Sequence, residues 1–248
     1  MRQIGFFRTI WRTFCVLGGL LQEQMPERKR AKYDDLDFDW RHLVDTTRGN
    51  LSFHVQAMCA LTGHEYWPTE PWLFEQIMDE LPIDFQQFTF IDMGSGKGRI
   101  LMMASSYPFR RIIGVELIPS LNEIAQENLA RYPGEGRRSG PVELVRQDAR
   151  DFQFPAEPLF VYLFNPFPEP VFAAVLENLR RSAEGSSRLI YVAYRYLEFE
   201  HLLANCGWLE KIAGTEQWAI YRNQTFGHAP KPQKGPRLRL VVADGARR

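Results

Sequence analysis

Hydrophobic residues follow two alternating patterns through the middle of this chain. Short, nearly continuous apolar runs cover Phe88–Asp92, Arg110–Glu116, Val142–Asp148, Leu159–Phe164 and Arg188–Tyr194. Runs of this kind predict strands buried on both faces. Between them, apolar positions recur at helical spacing. Leu73, Phe74, Ile77 and Leu81 precede the first run, with Thr69 the expected N-cap and Pro71 in the first turn. Leu121, Ile124, Ala125 and Leu129 mark a helix from Pro119 to about Tyr132, and Val171, Phe172, Val175, Leu176 and Leu179 mark one over Glu169–Ser182. Alternation of strand and helix predicts an open, doubly wound α/β sheet that is mostly parallel. Phe199–Cys206 predicts a short helix stopped by Gly207. Trp208–Ala213 and Gln217–Tyr221, joined through a Gly-Thr-Glu turn, predict an antiparallel hairpin at the C-terminal end of the sheet.

The strand Phe88–Asp92 ends in an acid and runs directly into Gly94, Ser95, Gly96 and Gly98. Strand, glycine turn, helix is how an open parallel sheet makes room for a nucleoside-type cofactor. Glycine leaves the backbone open to close approach and tolerates positive φ. The spacing here is G-x-G-x-G, where a dinucleotide fingerprint would read G-x-G-x-x-G. Glu116 ends the next strand, about 20 residues on, where such folds hold a ribose diol. Asp148 follows the third strand, with Asp151 a nearby competitor that spacing does not separate from it. Asn165 sits at the end of the fourth strand, before Pro166 and Phe167. The residue before proline is held extended, which aims the Asn165 side chain and carbonyl stiffly at the carboxyl edge of the sheet.

These residues together resemble the class I (seven-strand) S-adenosylmethionine-dependent methyltransferases. Asp92–Arg99 has the Asp-x-Gly-Ser-Gly-x-Gly-Arg form of their motif I. This form, with the loop around Tyr66 and Thr69, is similar to the non-SET protein-lysine methyltransferases. The likeness spans about Tyr66 to Pro168. It implies a Rossmann-like core using S-adenosyl-L-methionine. Asp92, Gly94, Ser95, Gly96 and Gly98 would then hold its methionine end, Glu116 its ribose and Asp148 its adenine amino group. Tyr66 and Thr69 would lie on a loop folded over the cofactor. Asn165-Pro166-Phe167 is similar to the Asn-Pro-Pro-Tyr motif of amino-methylating enzymes, although the second proline is absent. Asn165 would orient the accepting amine, and Phe167 would supply an apolar wall. The implied acceptor is a protein lysine or another amine. A small-molecule O- or N-methyltransferase and a cofactor-binding scaffold without transfer are the alternatives.

Composition narrows the rest. The chain has 248 residues, 30 basic and 30 acidic, and is 45% hydrophobic, enough for one substantial domain with appendages. The predicted organisation is an amphipathic helix and charged linker over 1–39, a helical pre-core segment over 40–86, the core over 87–226 and a basic tail over 227–248. The tail includes a candidate edge strand, Leu238–Val242. Balanced charge sets nucleic acid aside as the expected partner. Cys15, Cys59 and Cys206 are too widely spaced for a disulfide framework or a zinc pattern, and the five histidines show no ligand spacing. A reducing, cytoplasmic setting without a metal is expected. Residues 4–21 are rich in large apolar groups, but Arg8 and Arg12 break the run below the roughly 20 residues that span a bilayer. Two readings remain open: a helix lying on a membrane surface, or a helix packing on the catalytic domain or on a second subunit. The second is preferred, because stable anchoring takes more than one weak signal.

Overall fold

The computed structural model describes residues 36–47, 67–132, 136–164 and 166–224. Tyr66, Asn165, the helix expected at 4–21, most of the pre-core segment and the basic tail lie outside the described residues.

Seven strands form one sheet. In chain order they are β1 (Thr89–Met93), β2 (Arg111–Glu116), β3 (Val142–Arg146), β4 (Leu159–Phe164), β5 (Ile190–Arg195), β6 (Leu209–Gly214) and β7 (Trp218–Asn223). Their order across the sheet is β3-β2-β1-β4-β5-β7-β6. The first five are parallel to their neighbours, and β7 runs antiparallel to both β5 and β6. This is the Rossmann-like mixed sheet that the strand pattern and the hairpin predict. The order reverses at β1, between β2 and β4. Ligands bind open α/β sheets at such a reversal, outside the carboxyl ends of the strands.

Helices cover both faces. The labelled ones are α1 (Pro71–Asp79), α2 (Arg99–Ala104), α3 (Pro119–Arg131), α4 (Glu169–Gly185) and α5 (Glu200–Ala204). One face of the sheet, with Ile91, Met93, Val161 and Leu163, packs on Phe172, Val175, Leu176 and Leu179 of α4. The other, with Phe90, Phe160 and Tyr162, packs on Leu73, Phe74 and Ile77 of α1 and on Leu101 and Met102 of α2. All five residues of β1 are buried. Burial on both faces explains why the strand reads as an unbroken apolar run.

Two local expectations need correction. Residues 36–42 are helical, and this helix runs across position 39, the predicted boundary between linker and pre-core. Phe38 and Val44 join the core cluster beneath α1 and α2, so the segment is fastened to the domain. Thr69 does not cap α1: the N-cap is Glu70. The Thr69 hydroxyl is instead buried and shares a 3.0 Å hydrogen bond with the Tyr162 hydroxyl. Among the described residues no helix is long and apolar enough to cross a membrane.

Candidate active site

The turn after β1 is built from backbone. Gly94, Gly96 and Gly98 have φ of +82°, +51° and +83°, a region that strains any residue with a Cβ. A Cβ at Gly94 would fall 2.5 Å from the Cβ of Pro166, so the turns after β1 and β4 touch backbone to ring. A Cβ at Gly98 would sit 3.3 Å from that of Ala125. The third glycine thus lets α3 pack closely on the turn. The turn hangs from the end of β2: the Gly94 and Ser95 N–H groups donate to the Val115 carbonyl at 2.8 and 3.0 Å.

Glu116 is buried, and its carboxylate is held by backbone. One oxygen accepts from the Gly96 N–H at 2.8 Å and the other from the Ile118 N–H at 2.8 Å. Burial pushes its pKa up, while these N–H groups pull the other way. Asp92 differs. It is 4% exposed, and among the described residues no hydrogen-bond donor meets its carboxylate. Burial pushes its pKa well above the usual carboxylate range, and the Glu116 charge adds to that. In register Asp92 lies between Gly114 of β2 and Tyr162 of β4. The Tyr162 hydroxyl is pushed up by burial as well.

The loop before α1 crosses the same edge. Thr69 holds Tyr162, and the Glu70 carboxylate pairs with the Arg195 guanidinium at the end of β5. The loop therefore spans the carboxyl ends of β4 and β5, on the sheet face that carries Asp92. Sequence reasoning singled out Thr69 but missed Glu70, Tyr162 and Arg195. No spacing rule links residues 125 positions apart.

The other expected residues fall in different environments. The Ser95 hydroxyl is buried and has no hydrogen-bond partner among the described residues. It points toward β2, since a Cβ at Gly114 would come within 2.8 Å of it. Gly114, a plain strand glycine in the sequence, is what makes room for it. Asp148 lies two residues beyond β3 and caps a 3₁₀ turn, Ala149–Asp151. Both of its oxygens are engaged by Arg150, with a contact of 2.7 Å to Nη2. That hydrogen-bonded guanidinium holds its pKa below the usual range. Phe167 is half-buried against the apolar cluster of α4.

A second network ties the glycine turn to the pre-core segment. Lys97 is fully buried, and its ammonium donates to an Asp45 carboxylate oxygen at 2.9 Å and to the Thr47 carbonyl at 2.8 Å. Arg99 donates to the Thr46 hydroxyl at 2.6 Å and to Asp39 at 3.3 Å, and stacks 4.9 Å over Phe38. Asn128 of α3 bridges the two parts: its amide donates to the carbonyls of Lys97 and Asp45 and accepts from the Asp45 N–H.

The residues present fit S-adenosylmethionine in three respects. The turn is bare where a ligand would lie. A buried carboxylate, Asp92, with no donor among the described residues stands beside it. A second carboxylate, fixed by backbone, ends the neighbouring strand.

No family model matches the chain, and no curated protein matches it. Solved structures with a similar fold include three bacterial and archaeal enzymes. An RNA methyltransferase from Salinibacter ruber, solved with S-adenosyl-L-homocysteine, is 18% identical over 68% of this chain and 100% of its own, with a TM-score of 0.44. A precorrin-6y C5,15-methyltransferase from Geobacter metallireducens is 17% identical over 63% of this chain and 90% of its own, with a TM-score of 0.47. A precorrin-8w decarboxylase from Methanobacterium thermoautotrophicum is 16% identical over 64% of this chain and 92% of its own, with a TM-score of 0.46. Likenesses this distant concern the fold of the sheet and its helices, not the chemistry of this chain.

Proposed function

We propose that this chain is an S-adenosylmethionine-dependent methyltransferase acting on an amine nitrogen, with a protein lysine as acceptor. The observation that carries the cofactor reading is Asp92: a buried carboxylate, lacking a donor among the described residues, at the switch point of a Rossmann-like sheet and beside three left-handed glycines. A carboxylate in that state favours a cation, and the methionine ammonium of the cofactor supplies one. Each oxygen of Glu116 keeps a lone pair beyond its backbone bond, so the group can accept from two vicinal hydroxyls. Asp148, or its competitor Asp151, would accept from the adenine amino group. The Arg150 pair on Asp148 is half-exposed, and exposed pairs are worth only about 0–1 kcal/mol, so it can yield.

When bound, S-adenosylmethionine supplies a methyl group already activated by a sulfonium. The chain then has to present a neutral amine in line and keep water away. Asn165 follows β4 and precedes Pro166, which lies against Gly94. Its carbonyl would accept from the amine and fix its lone pair, with Tyr66, Thr69 and Phe167 on the surrounding walls. Alignment of this kind contributes several kcal/mol, up to roughly 7–11 in favourable cases. The lysine assignment rests on the resemblance of the Asp92–Arg99 turn and the Tyr66–Thr69 loop.

The test is incubation with methyl-labelled cofactor and cell extract. Label should remain in acid-precipitated protein, on a lysine side-chain nitrogen by mass spectrometry. Asn165→Ala should bind S-adenosylhomocysteine as the parent does yet transfer about 100–1,000-fold more slowly, the range for removing one preorganised hydrogen-bonding group. If S-adenosylhomocysteine gives neither heat nor thermal shift with the parent protein, the reading fails.

A further inference from the structure

The turn after β1 carries three glycines in five residues, and glycine loses more backbone freedom on ordering than any other residue. Lys97 stands between Gly96 at φ +51° and Gly98 at +83°, so its peptide groups swing on either side unless something fastens them. The fasteners are of two kinds. Some belong to the sheet and the turn: the Gly96 N–H on Glu116 at 2.8 Å and the Gly98 N–H on the Ser95 carbonyl at 2.9 Å. The others work through Lys97. Its carbonyl accepts from the Asn128 amide at 2.9 Å, and its ammonium donates to Asp45 and to the Thr47 carbonyl.

Asn128 is the joint of this second set. It lies in the last turn of α3 and is 1% exposed. Besides Lys97, its amide meets both backbone groups of Asp45, donating to the carbonyl at 2.7 Å and accepting from the N–H at 2.8 Å. One side chain thus holds the glycine turn and the pre-core segment together. One turn earlier on the same helix, Ala125 sits against Gly98, so α3 supports the turn from behind. Arg99, the first residue of α2, repeats the link through Thr46 and Asp39.

A loop that has to be ordered on binding gives up affinity, and a loop already ordered keeps it. On the reading that S-adenosylmethionine lies against this turn, we infer that Asn128 is a positioning residue for the cofactor site, and that docking of residues 39–47 and binding of the cofactor strengthen each other. Asn128 acts through the Lys97 carbonyl, not by contact with the cofactor. Coupling between two sites is reciprocal. What loosens the segment weakens cofactor binding, and bound cofactor holds the segment in place. Anything that draws residues 39–47 off α3 therefore lowers cofactor occupancy without touching the cofactor site.

Asn223 supplies a matched control. Its amide is 3% exposed and also bridges two backbone groups, accepting from the Ile190 N–H at 2.8 Å and donating to the Arg188 carbonyl at 2.8 Å. It does so at the amino end of β5, the opposite edge of the sheet from the glycine turn. Asn128→Ala and Asn223→Ala, made in the full chain, should both lower the melting temperature. In calorimetric titration with S-adenosylhomocysteine, well below those temperatures, Asn128→Ala should bind about ten-fold more weakly than the parent, inside the roughly 5–150-fold typical of coupled sites. Asn223→Ala should stay within about two-fold of the parent. Should Asn128→Ala lose its thermal transition, Asp45→Asn takes its place; it removes the charge facing Lys97 from a partly exposed side chain and should weaken binding at least about five-fold. Affinity within about two-fold of the parent in that variant, or equal weakening in Asn223→Ala, would overturn the inference. A parent protein that does not bind S-adenosylhomocysteine would instead strike the cofactor reading itself.

Discussion

Asp92 is held in a state that folding alone does not favour. Its folded pKa is raised, so the folded chain binds the Asp92 proton more tightly than the unfolded chain does. Stability from this group is therefore present at low pH and is lost as pH rises from the usual aspartate range through the raised value. Glu116 acts with the same sign, from its own burial. Asp92→Asn should accordingly raise the melting temperature of the ligand-free protein near neutral pH and flatten its dependence on pH. The same change should weaken S-adenosylhomocysteine binding about ten-fold or more, since a bond to a charged partner is worth about 1.5–3 kcal/mol. Melting curves across pH, set beside calorimetric titrations, separate the two effects. A variant that is less stable at neutral pH would show that the carboxylate is structural. Association of the parent should also release a proton where Asp92 is protonated, which appears as a binding heat that changes with the buffer.

At the scale of elements, glycines that look alike in the sequence do different work. Gly94 has φ +82° and would set a Cβ 2.5 Å from Pro166. Gly185 ends α4, and a Cβ there meets nothing within 4 Å. Gly94→Ala should destabilise by at least about 1–3 kcal/mol from backbone strain alone and should also disturb the turn after β4. Gly185→Ala should stabilise by about 0.5–1 kcal/mol. Urea titrations measure both, and equal effects would refute the account of the turn. The strands, the hairpin and the glycine turn were legible because each leaves a local signature: a two-sided apolar run, a pair of β-rich runs about a turn, a G-x-G-x-G spacing. The capping of α1 was not. Local rules favour Thr69 over Glu70 as a cap, yet Glu70 holds the cap position without a side-chain bond and the Thr69 hydroxyl is taken by Tyr162, 93 positions away. The buried face of α3 was legible only in part. Leu121 and Ala125 are on it, as the period predicts, but so are Asn122 and Asn128. A search for apolar periodicity cannot register an amide such as that of Asn128, buried because its backbone partners come with it.

Over the whole molecule, the same limit hid how the pre-core segment is joined to the domain. Lys97 and Arg99 are charged residues on a glycine turn, and they are 0% and 2% exposed. What buries them is a stretch of chain some 50 residues earlier, Asp39 to Thr47. The sheet begins at Thr89, but the cooperative unit begins no later than Phe38. A shortened protein starting at residue 48 would keep all seven described strands and the entire glycine turn. It would also strip Lys97 of Asp45 and the Thr47 carbonyl, and Arg99 of Asp39 and Thr46. Breaking one buried pair costs about 3–5 kcal/mol, against a total of about 5–15 kcal/mol for a typical domain. Such a fragment should fail to give a cooperative melt, whereas one starting ahead of residue 36 should melt as a unit. The smallest piece able to fold as a unit is therefore set by two cations that need distant oxygens, not by the outline of the sheet.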